Sequence, residues 1–207
     1  MVDTFSRIIV LLLAASAVIA APTPENGLAP LPLERRACAD VVVHFARGTT
    51  EAGTLGTVVG PPFRTALGIA LGSRSLSFEG VDYPAIVAGF LVGGSPEGSR
   101  TMANSVIATA NECPNAKIVM SGYSQGGQLV HNAAKLLSTA VQQRVVAAVI
   151  FGDPNRDKSL PPILEARRKT FCNFGDLICD GTSIVLAPHL TYGSDAAAAA
   201  AFVRARV

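Results

Sequence analysis

A chain of 207 residues with 17 basic and 15 acidic side chains carries a formal charge of +2, which gives no strong field for nucleic acid or acidic polymers. The composition is 49% hydrophobic and 15% charged. That is low in charge for a soluble protein and fits either a surface tolerant of apolar contacts or simply an Ala-rich and Val-rich core.

The N-terminus carries Arg7, an apolar run over residues 8–13, and small residues ending in Val18-Ile19-Ala20. This is the layout of a secretory signal peptide over residues 1–20, because the apolar stretch is short for a membrane span and Pro22 follows at once. Residues 21–36 are rich in proline, lack periodicity and end in the dibasic pair Arg35-Arg36. They read as a propeptide with the mature chain starting near Ala37, a plain flexible tail being the alternative. Residues 1–36 hold as many basic as acidic side chains, so their removal leaves the charge at +2. Residues 37–207 are long enough for one domain with a substantial core.

Residues 40–45 contain the β-branched run Val41-Val42-Val43 and predict a buried strand that leads into the loop Ala46-Arg47-Gly48-Thr49-Thr50-Glu51. Pro61 and Pro62 stand where a helix can begin, with Phe63, Ala66, Leu67, Ile69, Ala70 and Leu71 as its apolar face. A second strand is expected at 75–78, a helix at 99–111, a third strand at 118–121 and a helix at 125–137. Further strands follow at 145–151 and 169–172, and Ser194 is placed to cap a final helix through the alanines at 196–201. Strands alternating with helices predict an α/β fold, with a central, mostly parallel five-stranded sheet covered by helices on both faces. In such sheets the reactive groups lie on loops at the carboxyl ends of the strands, so the 47–51 loop and Ser124 are expected to face each other.

Gly122-Tyr123-Ser124-Gln125-Gly126 is a G-x-S-x-G pattern between an apolar run and a helix. It places a serine nucleophile on a tight strand-to-helix turn, with small residues on both sides where a Cβ would collide with neighbouring backbone. A serine hydroxyl needs an imidazole to accept its proton and a carboxylate to orient that imidazole. In folds built on this turn the order is Ser, acid, His. His189 fits, whereas His131 lies seven residues along the helix that the turn starts, about 10 Å away at 1.5 Å per residue, and reaches the hydroxyl poorly. The acid falls among Asp153, Asp157, Glu165, Asp176 and Asp180. Asp176 is preferred and Asp153, which follows a strand, comes second.

Four cysteines, Cys38, Cys113, Cys172 and Cys179, in a chain with a secretory leader predict two disulfides. Three pairings are possible. A local Cys172–Cys179 bridge is the easiest, leaving Cys38 to Cys113, and it would make a rigid mount for Asp176. The spacing matches no zinc pattern, so neither a metal nor another cofactor is expected. Oxyanion donors are expected from the backbone N–H of Gln125 and from Thr49, with Arg47 and Glu51 bracing the loop rather than touching substrate.

Four motifs in order, Ala46-Arg47-Gly48-Thr49-Thr50-Glu51, Gly122-Tyr123-Ser124-Gln125-Gly126, Cys172-Asn173-Phe174-Gly175-Asp176-Leu177-Ile178-Cys179 and Ala187-Pro188-His189-Leu190, together resemble the fungal cutinases. The resemblance runs from about Cys38 to the C-terminus. It implies a small lidless α/β-hydrolase, secreted and extracellular, that cleaves ester bonds of plant cutin. It also implies a triad of Ser124, Asp176 and His189, oxyanion donors Thr49 and Gln125, and disulfides Cys38–Cys113 and Cys172–Cys179. By the same resemblance Val87, Val185 and Leu190 would contact the acyl chain, with Phe90 and Leu91 nearby; plain core packing is the other reading of these five. Two departures stand out. Thr49 replaces the family's usual serine, and the flap over residues 83–91 has no side-chain amide to orient its hydroxyl, which would shift transition-state stabilisation toward backbone N–H groups. The partner expected is a polyester or small ester substrate, met by a monomer with no membrane span and no nucleic acid. An acetylxylan esterase on the same fold, and a secreted binding or elicitor protein without chemistry, are the competing functions.

Overall fold

Five strands pair in the order β2-β1-β3-β4-β5 in a computed structural model that describes residues 38–207. The leader expected over 1–20 and the propeptide expected over 21–36 lie outside the described residues. The strands are β1 (Val41–Ala46), β2 (Leu76–Gly80), β3 (Lys117–Tyr123), β4 (Val145–Phe151) and β5 (Arg168–Phe171). Every neighbouring pair is parallel, so the sheet is parallel throughout rather than mostly so. Each connection carries at least one helix: α1 (Gly60–Leu71), then α2 (Val87–Leu91) and α3 (Pro96–Glu112), then α4 (Gln125–Leu136) and α5 (Thr139–Arg144), then α6 (Pro162–Glu165). After β5 come two 3-10 turns, Ala187–Leu190 and Tyr192–Asp195, and the last helix α7 (Ala196–Arg204).

Helices on both faces explain why the strands read as unbroken apolar runs. Along β3, Ile118 and Met120 enter the core with Met102 and Val106 of α3 and Leu129 and Val130 of α4. Val119 and Tyr123 enter the opposite core with Phe63 and Leu67 of α1 and Ala199 and Val203 of α7. The period of two along the strand therefore sorts side chains between two cores rather than between core and solvent.

Three of the boundaries that differ from expectation do so for local reasons. Helix α3 starts at Pro96 because Ser95 caps it, its Oγ accepting the Gly98 N–H at 3.1 Å. Ser194 does not cap α7: its hydroxyl donates to the Thr191 carbonyl at 2.8 Å inside a 3-10 turn, and the cap position falls on Asp195. Strand β3 runs on to Tyr123, two residues past its expected end, because its pairing with β4 continues to Tyr123 and Phe151. The short helices α2, α5 and α6 are too brief to show a helical period in sequence.

Both expected disulfides are present. Cys38–Cys113 spans 75 residues and ties the segment before β1 to the end of α3, whereas Cys172–Cys179 spans 7. Loop-closure entropy scales with the logarithm of the loop, so replacing the Cys38–Cys113 pair by serines costs about 4 kcal/mol of unfolding free energy and replacing Cys172–Cys179 about 2 kcal/mol. Urea unfolding of the two double variants checks this; equal losses would contradict it.

Candidate active site

Ser124 sits between β3 and α4 at φ 56° and ψ −119°, a conformation that costs about 1–3 kcal/mol for a residue with a Cβ. Backbone bonds on both sides hold it there. The Ser124 N–H donates to the Phe151 carbonyl at 2.9 Å and the Ser124 carbonyl accepts from the Gly127 N–H at 2.8 Å. The flanking glycines are sterically required: a Cβ on Gly126 would lie 1.9 Å from the Ala46 carbonyl oxygen, and one on Gly122 would lie 2.2 Å from the Gly126 oxygen.

Asp176 and His189 are each 2% exposed, and the Asp176 Oδ2 accepts from His189 Nδ1 at 2.8 Å. That bond places the proton on Nδ1 and leaves Nε2 as the nitrogen available to the cavity, which Ser124 and His189 both line. Asp176 Oδ1 accepts the Ile178 N–H at 3.0 Å within the Cys172–Cys179 loop. A third donor, invisible in the sequence, is Tyr192. Its hydroxyl donates to Asp176 Oδ2 at 2.5 Å while accepting the Asn173 N–H at 2.9 Å. Burial, followed by the bond to Asp176, pushes the Tyr192 phenol well above the ordinary tyrosine range, so it stays a donor at any working pH. Tyr123 packs its ring 5.1 Å from that of His189 and donates from its hydroxyl to the His189 carbonyl at 2.8 Å. Gly152, at φ 53°, leaves room for the imidazole: a Cβ there would lie 2.7 Å from His189 Cε1.

Asp153 is engaged elsewhere. It accepts from His131 Nε2 at 3.0 Å and from the Asn155 N–H at 2.9 Å, all of it buried. The second-choice acid and the second-choice histidine thus satisfy each other away from the cavity lining.

The 47–51 loop is braced as expected. Arg47 donates from Nε to the Glu51 carbonyl and from Nη2 to the Tyr83 carbonyl, both at 2.7 Å. The Glu51 carboxylate accepts the N–H groups of Gly48, Thr57 and Val58 at 2.7–2.9 Å. One expectation is corrected here. The Thr49 hydroxyl does have a side-chain amide partner, at 2.9 Å, but it is Gln125 Nε2 from the elbow rather than a flap residue.

The cavity holds about 680 Å³ and is lined by Thr49, Ser124 and His189 together with Val87, Phe90, Leu91, Val185 and Leu190. Val87, Leu91, Val185 and Leu190 are more than half exposed, so these four are rim residues and not core packing. Asp176 lies behind His189, and Gln125 is fully buried. Among the described residues no cluster of His, Cys, Asp and Glu could hold a metal ion, and no helix is long and apolar enough to cross a membrane.

The family model described as Cutinase matches residues 37–207. The chain belongs to the cutinase family. It is 56% identical over 193 residues to a cutinase of Botryotinia fuckeliana, covering 93% of this chain and 92% of that one. A solved structure of Trichoderma reesei cutinase in complex with a phosphonate inhibitor superposes with a TM-score of 0.77 at 48% identity, over 80% of this chain and 75% of that one. An acetylxylan esterase superposes at 0.65 with 26% identity, over 82% and 99%. The two disulfides and the five-stranded sheet described above are thus set in a cutinase fold.

Tyr192 yields a prediction with a sign. Its O–H disperses charge on the Asp176 oxygen that faces His189, so Tyr192→Phe leaves that oxygen more negative and favours the imidazolium. The acidic limb of kcat/KM on a soluble ester therefore moves to higher pH in the variant, while a limb that stays in place contradicts the assignment.

Proposed function

We propose that the chain is a secreted serine esterase that hydrolyses cutin and related aliphatic carboxylic esters through an acyl-enzyme on Ser124. The observation that carries the reading is the Asp176–His189 bond set behind a cavity shared with a strained serine. In the proposed reaction His189 Nε2 takes the Ser124 proton as Oγ attacks the ester carbonyl, and the carbonyl electron pair moves onto oxygen. Thr49 and the Gln125 backbone N–H stabilise that oxyanion. Collapse expels the alcohol, which leaves with the proton from His189. Water, deprotonated by the same imidazole, then attacks the acyl carbon and releases the carboxylic acid, returning the proton to Ser124. Asp176 holds the imidazole through its Nδ1 and stabilises the imidazolium as it forms.

Substrate class follows from the lining. Val87, Val185 and Leu190, with Phe90 and Leu91, offer the acyl chain an apolar and largely exposed rim, which suits an aliphatic polyester reached without a lid. A carbohydrate esterase would want a polar, open rim, so the acetylxylan reading is less well supported. A non-catalytic role leaves the Ser124 strain and the buried Asp176–His189 pair without a purpose. Export through residues 1–20, removal of 21–36 and action as a monomer outside the cell complete the proposal. Two disulfides in the described part fit an oxidising compartment.

Two measurements check the reading. Hydrolysis of p-nitrophenyl butyrate and of a cutin suspension should far exceed deacetylation of acetylated xylan, and a strong preference for the xylan would replace the proposed substrate. The rate should also fall about tenfold per pH unit once the imidazole is protonated, as a single essential base requires. A rate that stays level down to pH 4 would rule out a neutral histidine as base.

A further inference from the structure

We infer that the side-chain carboxamide of Gln125, and not only its backbone N–H, sets up transition-state stabilisation by aiming the Thr49 hydroxyl. The inference rests on the proposed role of Thr49 as an oxyanion donor. Gln125 Nε2 lies 3.0 Å from the Ile86 carbonyl oxygen. That oxygen can only accept, so the amide atom facing it is the nitrogen. The same nitrogen lies 2.9 Å from Thr49 Oγ1, and its two N–H groups serve one partner each. Thr49 Oγ1 is therefore an acceptor in this bond, and its own proton must point away from the amide. Thr49 lines the cavity with Ser124 and His189, which is where an oxyanion would form.

Two further features support a role beyond packing. Gln125 is fully buried, yet its Oε1 has no hydrogen-bond partner among the described residues, an arrangement that costs stability. Gly89 of α2 makes the pose possible, because a Cβ there would lie 2.6 Å from Gln125 Oε1. A side chain at position 89 would displace the carboxamide and with it the bond to Thr49. One residue at the elbow thus offers one donor directly and orients the other. The Ile86 carbonyl, just before α2, and the Thr50 N–H to Ala85 carbonyl bond at 2.7 Å keep the flap in register with both. Gln125 acts here as a positioning residue for Thr49.

The test is a double-mutant cycle on p-nitrophenyl butyrate, with rates expressed per site titratable by a phosphonate so that misfolded chains do not count. Gln125→Met keeps length and burial but removes the donor. It should lower kcat about tenfold or more, up to the roughly 10²–10³-fold cost of losing one oxyanion donor outright, with KM nearly unchanged. Gln125→Glu should be worse, since a carboxylate would draw the Thr49 proton toward itself. Gly89→Ala should reproduce the Gln125→Met loss without touching either residue. In a Thr49→Val background, Gln125→Met and Gly89→Ala should add little. Losses that multiply in that background, or that fall on KM alone, overturn the inference. A fully active Thr49→Val removes the proposed role of Thr49 itself, and this inference with it.

Discussion

The close approach of Gly126 to the Ala46 carbonyl is the constraint on which the site depends. It brings the end of β1 against the start of α4 at a distance no side chain would allow. Because Ala46 opens the 47–51 loop, that single backbone contact sets the distance between the strained Ser124 and Thr49. The rest of the loop is then locked from outside, by the Arg47 bonds to the Glu51 and Tyr83 carbonyls and by the three N–H groups on the Glu51 carboxylate. The loop can hold a turn at Thr50, φ 63°, because these bonds over-determine it.

The other half of the site is mounted independently. The disulfide loop over residues 172–179 carries Asp176, a 3-10 turn carries His189, and Tyr192 joins them by donating to the same carboxylate oxygen that receives the histidine. Tyr123 links the two halves, since it stands beside Ser124 in β3 and packs on His189. Buried donors of this kind fix a carboxylate more firmly than solvent could, and they do so before any substrate arrives. The rim of apolar side chains around the cavity makes no such bonds. Its residues are exposed, which leaves substrate choice separable from the chemistry.

What was legible in the sequence was whatever has a local or ordered signature. The elbow announces itself through Gly122 and Gly126, the parallel sheet through β-branched runs separated by helical periods, and the disulfide loop around Asp176 through cysteines seven residues apart. What stayed hidden depends on contacts between distant segments. Nothing in the spacing of Tyr192 says that it reaches Asp176, and the absence of an amide in residues 83–91 suggested a bare Thr49 hydroxyl. The amide came from Gln125, 76 residues from Thr49 in the chain. Asp153 likewise read as a candidate acid until its partner His131, on the far side of a crossover, came into view. The cap of α7 was misplaced by one residue because a 3-10 turn precedes that helix and uses Ser194 for its own bonding.

The central claim is that Ser124 alone forms the covalent intermediate, activated by His189. Mass mapping of the wild-type protein after reaction with an alkyl phosphonate tests it most directly. The account predicts one phosphonyl group per chain, on Ser124, with esterase activity lost in proportion to labelling and no labelling in His189→Ala on the same timescale. A label on another residue, or full activity in protein labelled at Ser124, would contradict it.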